Sequence, residues 1–284
     1  MTERLWLGAA ALIVSSAARP AVAQPAPVAA TQPAPSPGQA ARAQRPAASA
    51  DPLRDAAQLL LVTSPSWDSP RGELVRLSRP GPGQRFVRIG PPLPVWLGRH
   101  GLAWRSDAGA PEPPLPGPRK REGDGRSPAG ILPIGEMWGY APEPPPGVRL
   151  TYHQAGPHDR CVDDPQAREY GQLAVAPPSG LPPWRSAEEL RLPTEHYRYL
   201  AVLRYNMDRP LPGAGSCIFL HVAPAPEGPT AGCTALREAE LLTVLRWLDP
   251  AKQPLLVQLP ADVLAKIQKP WRLPPELVAS EAVK

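Results

Sequence analysis

The sequence predicts a mostly β domain, and three observations predict it. Short apolar or alternating runs recur along the chain, each ended by Pro or Gly, which is the pattern of strands separated by turns. Proline supplies 44 of 284 residues. It is excluded from helix interiors and central strands, so much of the remaining chain must be loop or extended segment. Only one stretch has the apolar spacing of a long helix. A hydrophobic content of 42% can build a core, and 284 residues allow one good-sized domain with tails or two small ones.

Arg4 precedes an apolar stretch from Leu5 to Val14, and Ala21-Val22-Ala23 then fits a small-x-small cleavage site. Residues 1–23 read as a secretory signal peptide, with an uncleaved anchor as the alternative. The apolar run is short for a membrane span, and no later segment is long and apolar enough to be one. Residues 24–55 begin as an Ala/Pro/Gln/Ser/Arg tract that cannot form a core, so they read as a disordered tether, most simply an inert spacer. An ordered domain is expected over 56–260, followed by a C-terminal tail over 261–284.

Gln58–Thr63 reads as a buried strand, and Gly72–Ser78 as a second, stopped by Pro80-Gly-Pro-Gly83. Arg85–Ile89 alternates as a half-buried strand does, and Leu93–Leu97 follows as a fourth. Ser106–Gly125 is a long loop rich in Pro, Gly and charge, and Glu143–Pro193 is a second irregular stretch. Tyr197–Tyr205, Ser216–Val222 and Leu255–Leu259 read as core strands. The helix is expected directly after Cys233. There Leu236, Ala239, Leu242, Leu245 and Leu248 recur every third residue, beside Leu241 and Val244, and Asp249-Pro250 ends the run.

The net charge of +5 and a pI near 9.3 favour an anionic partner. The basic residues are scattered, and the run Arg119-Lys120-Arg121 is too short for a nucleic-acid stripe, so no nucleic-acid partner is expected. Three cysteines in an exported chain suggest one disulfide and one free thiol, with three pairings open.

One segment carries the chemistry. A helix starting after Cys233 would place the thiol at a positive dipole end and ease its ionisation. Gly232 leaves the turn backbone open, so its N–H can serve an oxyanion hole. His221 ends a core strand, and the Pro/Gly-rich connector Ala223–Thr230 can fold that end back toward Cys233. A Cys–His pair within hydrogen-bond reach supplies a thiolate nucleophile and a general base that later acts as acid. Taken singly, a Cys beside Gly and a His on a strand are ordinary core residues; the conjunction is what points to a site.

The stretch His221 … Thr230-Ala231-Gly232-Cys233 resembles the signature of the L,D-transpeptidase catalytic domain (YkuD domain). A second block, Asp124-Gly-Arg-Ser-Pro-Ala-Gly-Ile-Leu132, resembles that family's Asp-Gly-Arg-Ser/Thr-Pro-x-Gly block. The resemblance covers roughly Leu59 to Pro260 and points to a divergent branch: where the family usually has Arg or Asn two residues after the Cys, this chain has Ala235. It implies a β-sandwich-like catalytic domain in the periplasm or at the wall, with a helix after the nucleophilic Cys and long Pro-rich loops. It implies acyl transfer on peptidoglycan stem peptides through a Cys233 thioacyl-enzyme, passed to an amine (transpeptidase) or to water (carboxypeptidase). No cofactor is needed. A non-catalytic wall-binding module that keeps the fold is the rival.

Thr230, Ala231, Arg126 and Tyr205 are candidates to touch substrate. For Tyr205 the plainer reading is the end of a strand. The charged loop Lys120–Arg126 would meet stem-peptide carboxylates or simply be solvated. Cys233 must stay reduced to work, so the expected disulfide is Cys161–Cys217; a buried Cys217 with a free Cys161 is the alternative. His153 and His158, near Asp159, Asp163 and Asp164, raise a metal site that no ligand spacing supports, so they read as a polar rim and no metal is expected.

Overall fold

The computed structural model describes residues 53–269, apart from 83, 109 and 111–114. The expected signal peptide, most of the tether and the tail beyond Lys269 lie outside the described residues.

The apolar run near Leu59 is strand β1 (Gln58–Ser64), buried at six of its seven positions. Near-continuous burial means that both faces are covered. β2 (Arg71–Ser78) pairs antiparallel with β1, and β3 (Val87–Trp96) antiparallel with β2. The two strands expected over Arg85–Leu97 are therefore one. Gly90-Pro91-Pro92 forms no turn: Gly90 takes a φ of 73°, and the register slips between Leu74 and Arg76 of β2, so the segment is absorbed as an irregularity within the ladder.

Next come β4 (Leu102–Trp104) and β5 (Ser127–Gly139), then β6 (Tyr152–Gln154). Three short strands, β7 (Asp159–Cys161), β8 (Leu173–Val175) and β9 (Glu188–Glu189), form a separate sheet in the order β8-β7-β9. The second half holds β10 (Tyr199–Leu203), β11 (Phe219–Val222), β12 (Thr234–Leu236) and β13 (Leu255–Pro260). Two helices complete the described chain, α1 (Glu238–Trp247) and α2 (Ala261–Ile267).

The mostly β expectation holds, but the sheet closes on itself and is not a sandwich. The path β10-β11-β12-β3-β2-β1-β13-β5 is joined end to end by pairing between β10 and β5. Closure rests on the length of β5. Its residues Gly130–Pro133 pair with β13, and Ile134–Gly139 extend onto β10. A single strand that serves both ends removes the free edges an open sheet would expose.

The helix begins later than expected. Residues 234–236 after Cys233 form β12, parallel to β11 through Leu220–Thr234, His221–Ala235 and Val222–Leu236. The inward face of α1 is Leu241, Val244 and Leu245, with Leu248 following, while Ala239 is exposed. This i, i+3, i+4, i+7 pattern is the helical stripe, and the strict period of three is not. Gln58 of β1 secures the helix end: its Nε2 donates to the Trp247 carbonyl at 2.7 Å and its Oε1 accepts from Asp249 N–H at 2.8 Å.

One apolar cluster fills the barrel and runs beneath α1 and α2. A second lies on another face, built from Trp138, Leu190, Tyr197, Leu200, Phe219 and the cysteines, between the barrel wall and the small sheet. That small sheet and the Glu195–Tyr197 turn form a cover over the strands that carry His221 and Cys233.

Candidate active site

Cys233 sits at the entry of β12, and its backbone is fixed by two hydroxyls. Ser127 Oγ and Thr230 Oγ1 each donate to the Cys233 carbonyl at 2.7 Å. Ser127 Oγ also accepts from Gly98 N–H at 2.8 Å, and Thr230 Oγ1 from Gly232 N–H at 3.1 Å. Position 232 is glycine by close approach, since a Cβ there would lie 3.1 Å from the Arg126 carbonyl. The Gly232 N–H expected to serve an oxyanion is thus engaged inside the turn. On the other face of β12, Thr234 Oγ1 donates to Gln258 Oε1 at 2.9 Å, which ties the nucleophile's strand to β13.

The parallel pairing of β11 with β12 puts Phe219, His221, Cys233 and Ala235 on one face. Tyr197 of the cover packs edge-on against Phe219 and His221, with ring centroids 5.6 Å and 5.1 Å away. Cys233 and His221 are neighbours on adjacent strands, yet each is bonded to other groups. The thiol accepts from Phe219 N–H at 3.3 Å and donates to the Cys217 carbonyl at 3.5 Å. The His221 Nδ1 meets the Val222 carbonyl at 2.7 Å. The direct Cys–His hydrogen bond anticipated from sequence is not formed in this closed arrangement.

Burial sets the electrostatics. Cys233 is 6% exposed, and desolvation holds its thiol well above the ordinary range, with the Glu188 charge adding to the rise. The expected helix-dipole activation fails because β12 separates the sulfur from α1. Burial likewise lowers His221 to about 4, with His196 adding a smaller repulsion. The imidazole is therefore neutral across the neutral range.

Cys161 and Cys217 are bridged with Cα atoms 5.8 Å apart, and Cys233 is the free thiol. The bridge pins β7 of the cover to Cys217, two residues before β11, where the backbone takes a φ of 54°.

A family model described as the L,D-transpeptidase catalytic domain matches residues 86–258. The chain belongs to that family. No curated protein and no solved structure matches it. The matched region of this L,D-transpeptidase-family chain holds both signature blocks, and the fold brings them together. The block from Asp124 to Leu132 supplies Ser127, which bonds the Cys233 carbonyl.

Other expected contacts lie elsewhere. The Arg126 guanidinium donates to the Trp67 and Leu102 carbonyls at 3.1 Å and 2.9 Å and pairs with Asp68 at 2.7 Å, so it ties the β1–β2 loop down. Tyr205 is wholly buried, and its hydroxyl donates to the Ala214 carbonyl, so it is a core post and not a cleft wall. Lys120 is buried against Asp124 at 2.6 Å, while Arg121 and Gly123 of the same loop are exposed. Thr230 is half-buried and Ala231 exposed, next to the nucleophile. Ala235 is fully buried between His221 and Trp96 in the ladder, so the position where the family usually carries Arg or Asn presents only a methyl group.

His153 packs on the Trp138 ring at 4.8 Å, Asp159 accepts from Gly156 N–H at 2.7 Å, and Asp164 accepts from Gln166 and Arg185 N–H groups. Among the described residues, no group of three or more His, Cys, Asp or Glu is placed to hold a metal. Nor does any described helix have the length and apolar character to cross a membrane. Two residues that the sequence did not single out touch the site, Tyr197 and Glu188. The Tyr197 hydroxyl donates to the Glu188 carboxylate, and the two groups act oppositely on the thiol, Glu188 holding it up and Tyr197 lowering it. No motif marks either, because both reach the site through the cover.

Proposed function

We propose that the chain is an exported cysteine acyltransferase that acts on peptidoglycan stem peptides. Cys233 attacks a stem-peptide carbonyl to form a thioacyl-enzyme, and an amine or water then takes the acyl group. His221, neutral at working pH, moves protons to and from the reacting groups, and an amide of the Thr230–Cys233 turn holds the oxyanion. The observation that carries this reading is the free thiol of Cys233 beside His221, on one sheet face, inside the region matched by the family model. The signal-like N-terminus supports a periplasmic or secreted location.

A second reading, wall binding without turnover, draws on the buried and protonated thiol. Incubation with disaccharide-tetrapeptide, with products read by mass spectrometry, separates the two. Cross-linked dimer, tripeptide or an exchanged terminal residue is the expected outcome, and it distinguishes cross-linking, trimming and amine exchange. Cys233→Ala should abolish all products, and His221→Ala should slow them by roughly 10²–10⁴-fold. Unchanged turnover in Cys233→Ala would remove the mechanism, and binding without product in the wild type would favour the second reading.

A further inference from the structure

The ladder pairings lay one row of side chains across the wall of the barrel. His221 stands opposite Ala235, Ala235 opposite Trp96, and Trp96 opposite Arg71, on β11, β12, β3 and β2 in turn. Paired residues share a face of the sheet, so the row that carries His221 ends in an arginine. Their neighbours Leu220, Val222, Leu236 and Val95 turn the other way, into the main apolar cluster. Exposure rises along the row: His221 and Ala235 are buried, Trp96 is half-buried and Arg71 is exposed. The open end also meets the rim of the site. Gly98, two residues beyond Trp96, is bridged to Thr230, which precedes the exposed Ala231. Strand spacings place the Arg71 and Cys233 backbones roughly 12 Å apart.

Arg71 is fixed in place, yet among the described residues it makes no ion pair. Ser69 Oγ donates to the Arg71 carbonyl at 3.0 Å and accepts from its backbone N–H at 3.3 Å. The guanidinium stacks on the Trp96 ring, 3.9 Å from the centroid. Stacking uses the flat face of the group and leaves the N–H donors at its edge for a planar carboxylate. The carboxylates of the adjoining segments are engaged elsewhere. Glu227 pairs with Arg237 at 2.5 Å, and Asp68 with Arg126 at 2.7 Å. Glu73 stands two residues along β2, opposite Pro94, on the side away from the rim. A second exposed arginine, Arg99, lies off the row: its Nε packs on Gly125, 3.0 Å from where a Cβ would stand.

Resting on the acyl-transfer reading above, we infer that Arg71, on its Trp96 platform, is a carboxylate-binding subsite of the same active site. The ligand is an acidic peptide: a stem peptide with its reacting carbonyl at Cys233 and a free carboxylate on the guanidinium. A backbone separation of roughly 12 Å is three to four extended residues, and the arginine side chain covers part of it. The carboxylate therefore lies within about three residues of the reacting carbonyl. Paired edge-on to the fork, it fixes the direction in which the peptide crosses the strands. The contact is remote from the bond that changes and is the same in ground and transition states, so it acts on KM and not on kcat. Arg71 is thus a specificity-determining residue, which admits acidic peptides and disfavours neutral ones.

The test is turnover of disaccharide-tetrapeptide by the full chain, beside the same substrate with its free carboxylates converted to amides. Arg71→Gln should raise KM for the acid substrate about fivefold or more and leave kcat near wild type. Arg71→Lys should recover part of the loss, since it keeps the charge without the fork. The amidated substrate should be indifferent to Arg71→Gln. Arg99→Gln removes the same charge off the row and should move KM little. Equal rises in the two arginine variants would reveal a general field and overturn the subsite, as would a wild-type KM in Arg71→Gln. Calorimetric binding of the acid substrate to Cys233→Ala reads the subsite without turnover, and adding Arg71→Gln should weaken it by the same factor. No binding to Cys233→Ala, or binding blind to Arg71, overturns the inference. Binding that depends on Arg71, with no product from the wild type, would keep the subsite and refute acyl transfer; normal product with an unmoved KM would do the reverse.

Discussion

Cys233 is anchored by its backbone more firmly than by its side chain. Ser127 Oγ bonds both the Cys233 carbonyl and Gly98 N–H in a fully buried setting. Ser127→Ala leaves that carbonyl with only Thr230 and takes away the hydroxyl acceptor of the Gly98 N–H. The expected cost is about 1–3 kcal/mol in urea unfolding. Turnover should fall through kcat more than KM, because the sulfur shifts while the exposed rim at Ala231 does not. An unchanged unfolding midpoint would show that the serine is dispensable. At this scale the sequence exposed Cys233 and His221, because a Gly-Cys after a strand-end His is a local pattern. It did not reveal that Arg126 bonds the Trp67 and Leu102 carbonyls or that Tyr205 bonds the Ala214 carbonyl, because whether a polar side chain faces a cleft or a carbonyl depends on chain segments far away in sequence. Tyr197 and Glu188 carry no local signal at all.

Among the elements, the segment after Cys233 is the clearest case of tertiary pairing overriding a local reading. Thr234–Leu236 fit a helical count of leucines, yet they become β12 because β11 and β3 offer ladders on both sides. The consequence is measurable on α1. Leu245 is fully buried and Leu242 is half-buried. Leu245→Ala should therefore cost about 2–5 kcal/mol, and Leu242→Ala clearly less. Equal losses would return the helix face to the period of three. The cover has its own staple. Cys161 and Cys217 are 56 residues apart in sequence, and closing a loop of that size is worth about 4 kcal/mol in the chain-entropy model. The Cys161→Ala/Cys217→Ala pair should melt earlier and, with β7 freed, expose Cys233 to alkylation. Melting and alkylation both equal to wild type would show that the cover is held by packing alone.

Across the whole molecule, two buried groups in one site pull the pH dependence of stability in opposite directions. Glu188 is raised from 4.5 to about 7, so the folded state keeps a proton that the unfolded state releases. Its contribution is full below about 4.5 and is lost as pH rises through 7. His221 is lowered from 6.5 to about 4, so its contribution is full above 6.5 and is lost as pH falls through 4. Each shift corresponds to about 3 kcal/mol at most. Between them the two terms largely offset each other from about pH 4.5 to 6.5. The stability of Glu188→Gln relative to wild type should therefore rise by up to about 3 kcal/mol between roughly pH 4 and pH 8. Parallel unfolding curves across that range would refute it.

What the sequence by itself determined is the material of the fold: a β-rich domain punctuated by proline, its apolar strands near Gln58, Gly72, Tyr197, Ser216 and Leu255, and a Gly-Cys at 232–233 preceded by His221. These are legible because side-chain alternation, turn chemistry and motif spacing are local properties. Only the tertiary structure decided that the sheet closes. The strand that closes it, β5, carries Pro128, Pro133 and three glycines, and reads as punctuation until β13 and β10 supply its partners. Tertiary structure also decided the state of the nucleophile. A cover built from residues more than thirty positions before Cys233 in sequence removes water from the sulfur and brings Tyr197, bonded to Glu188, into the apolar cluster that holds it. Desolvation and charge at a point are sums over everything packed around it, and no stretch of sequence contains that sum.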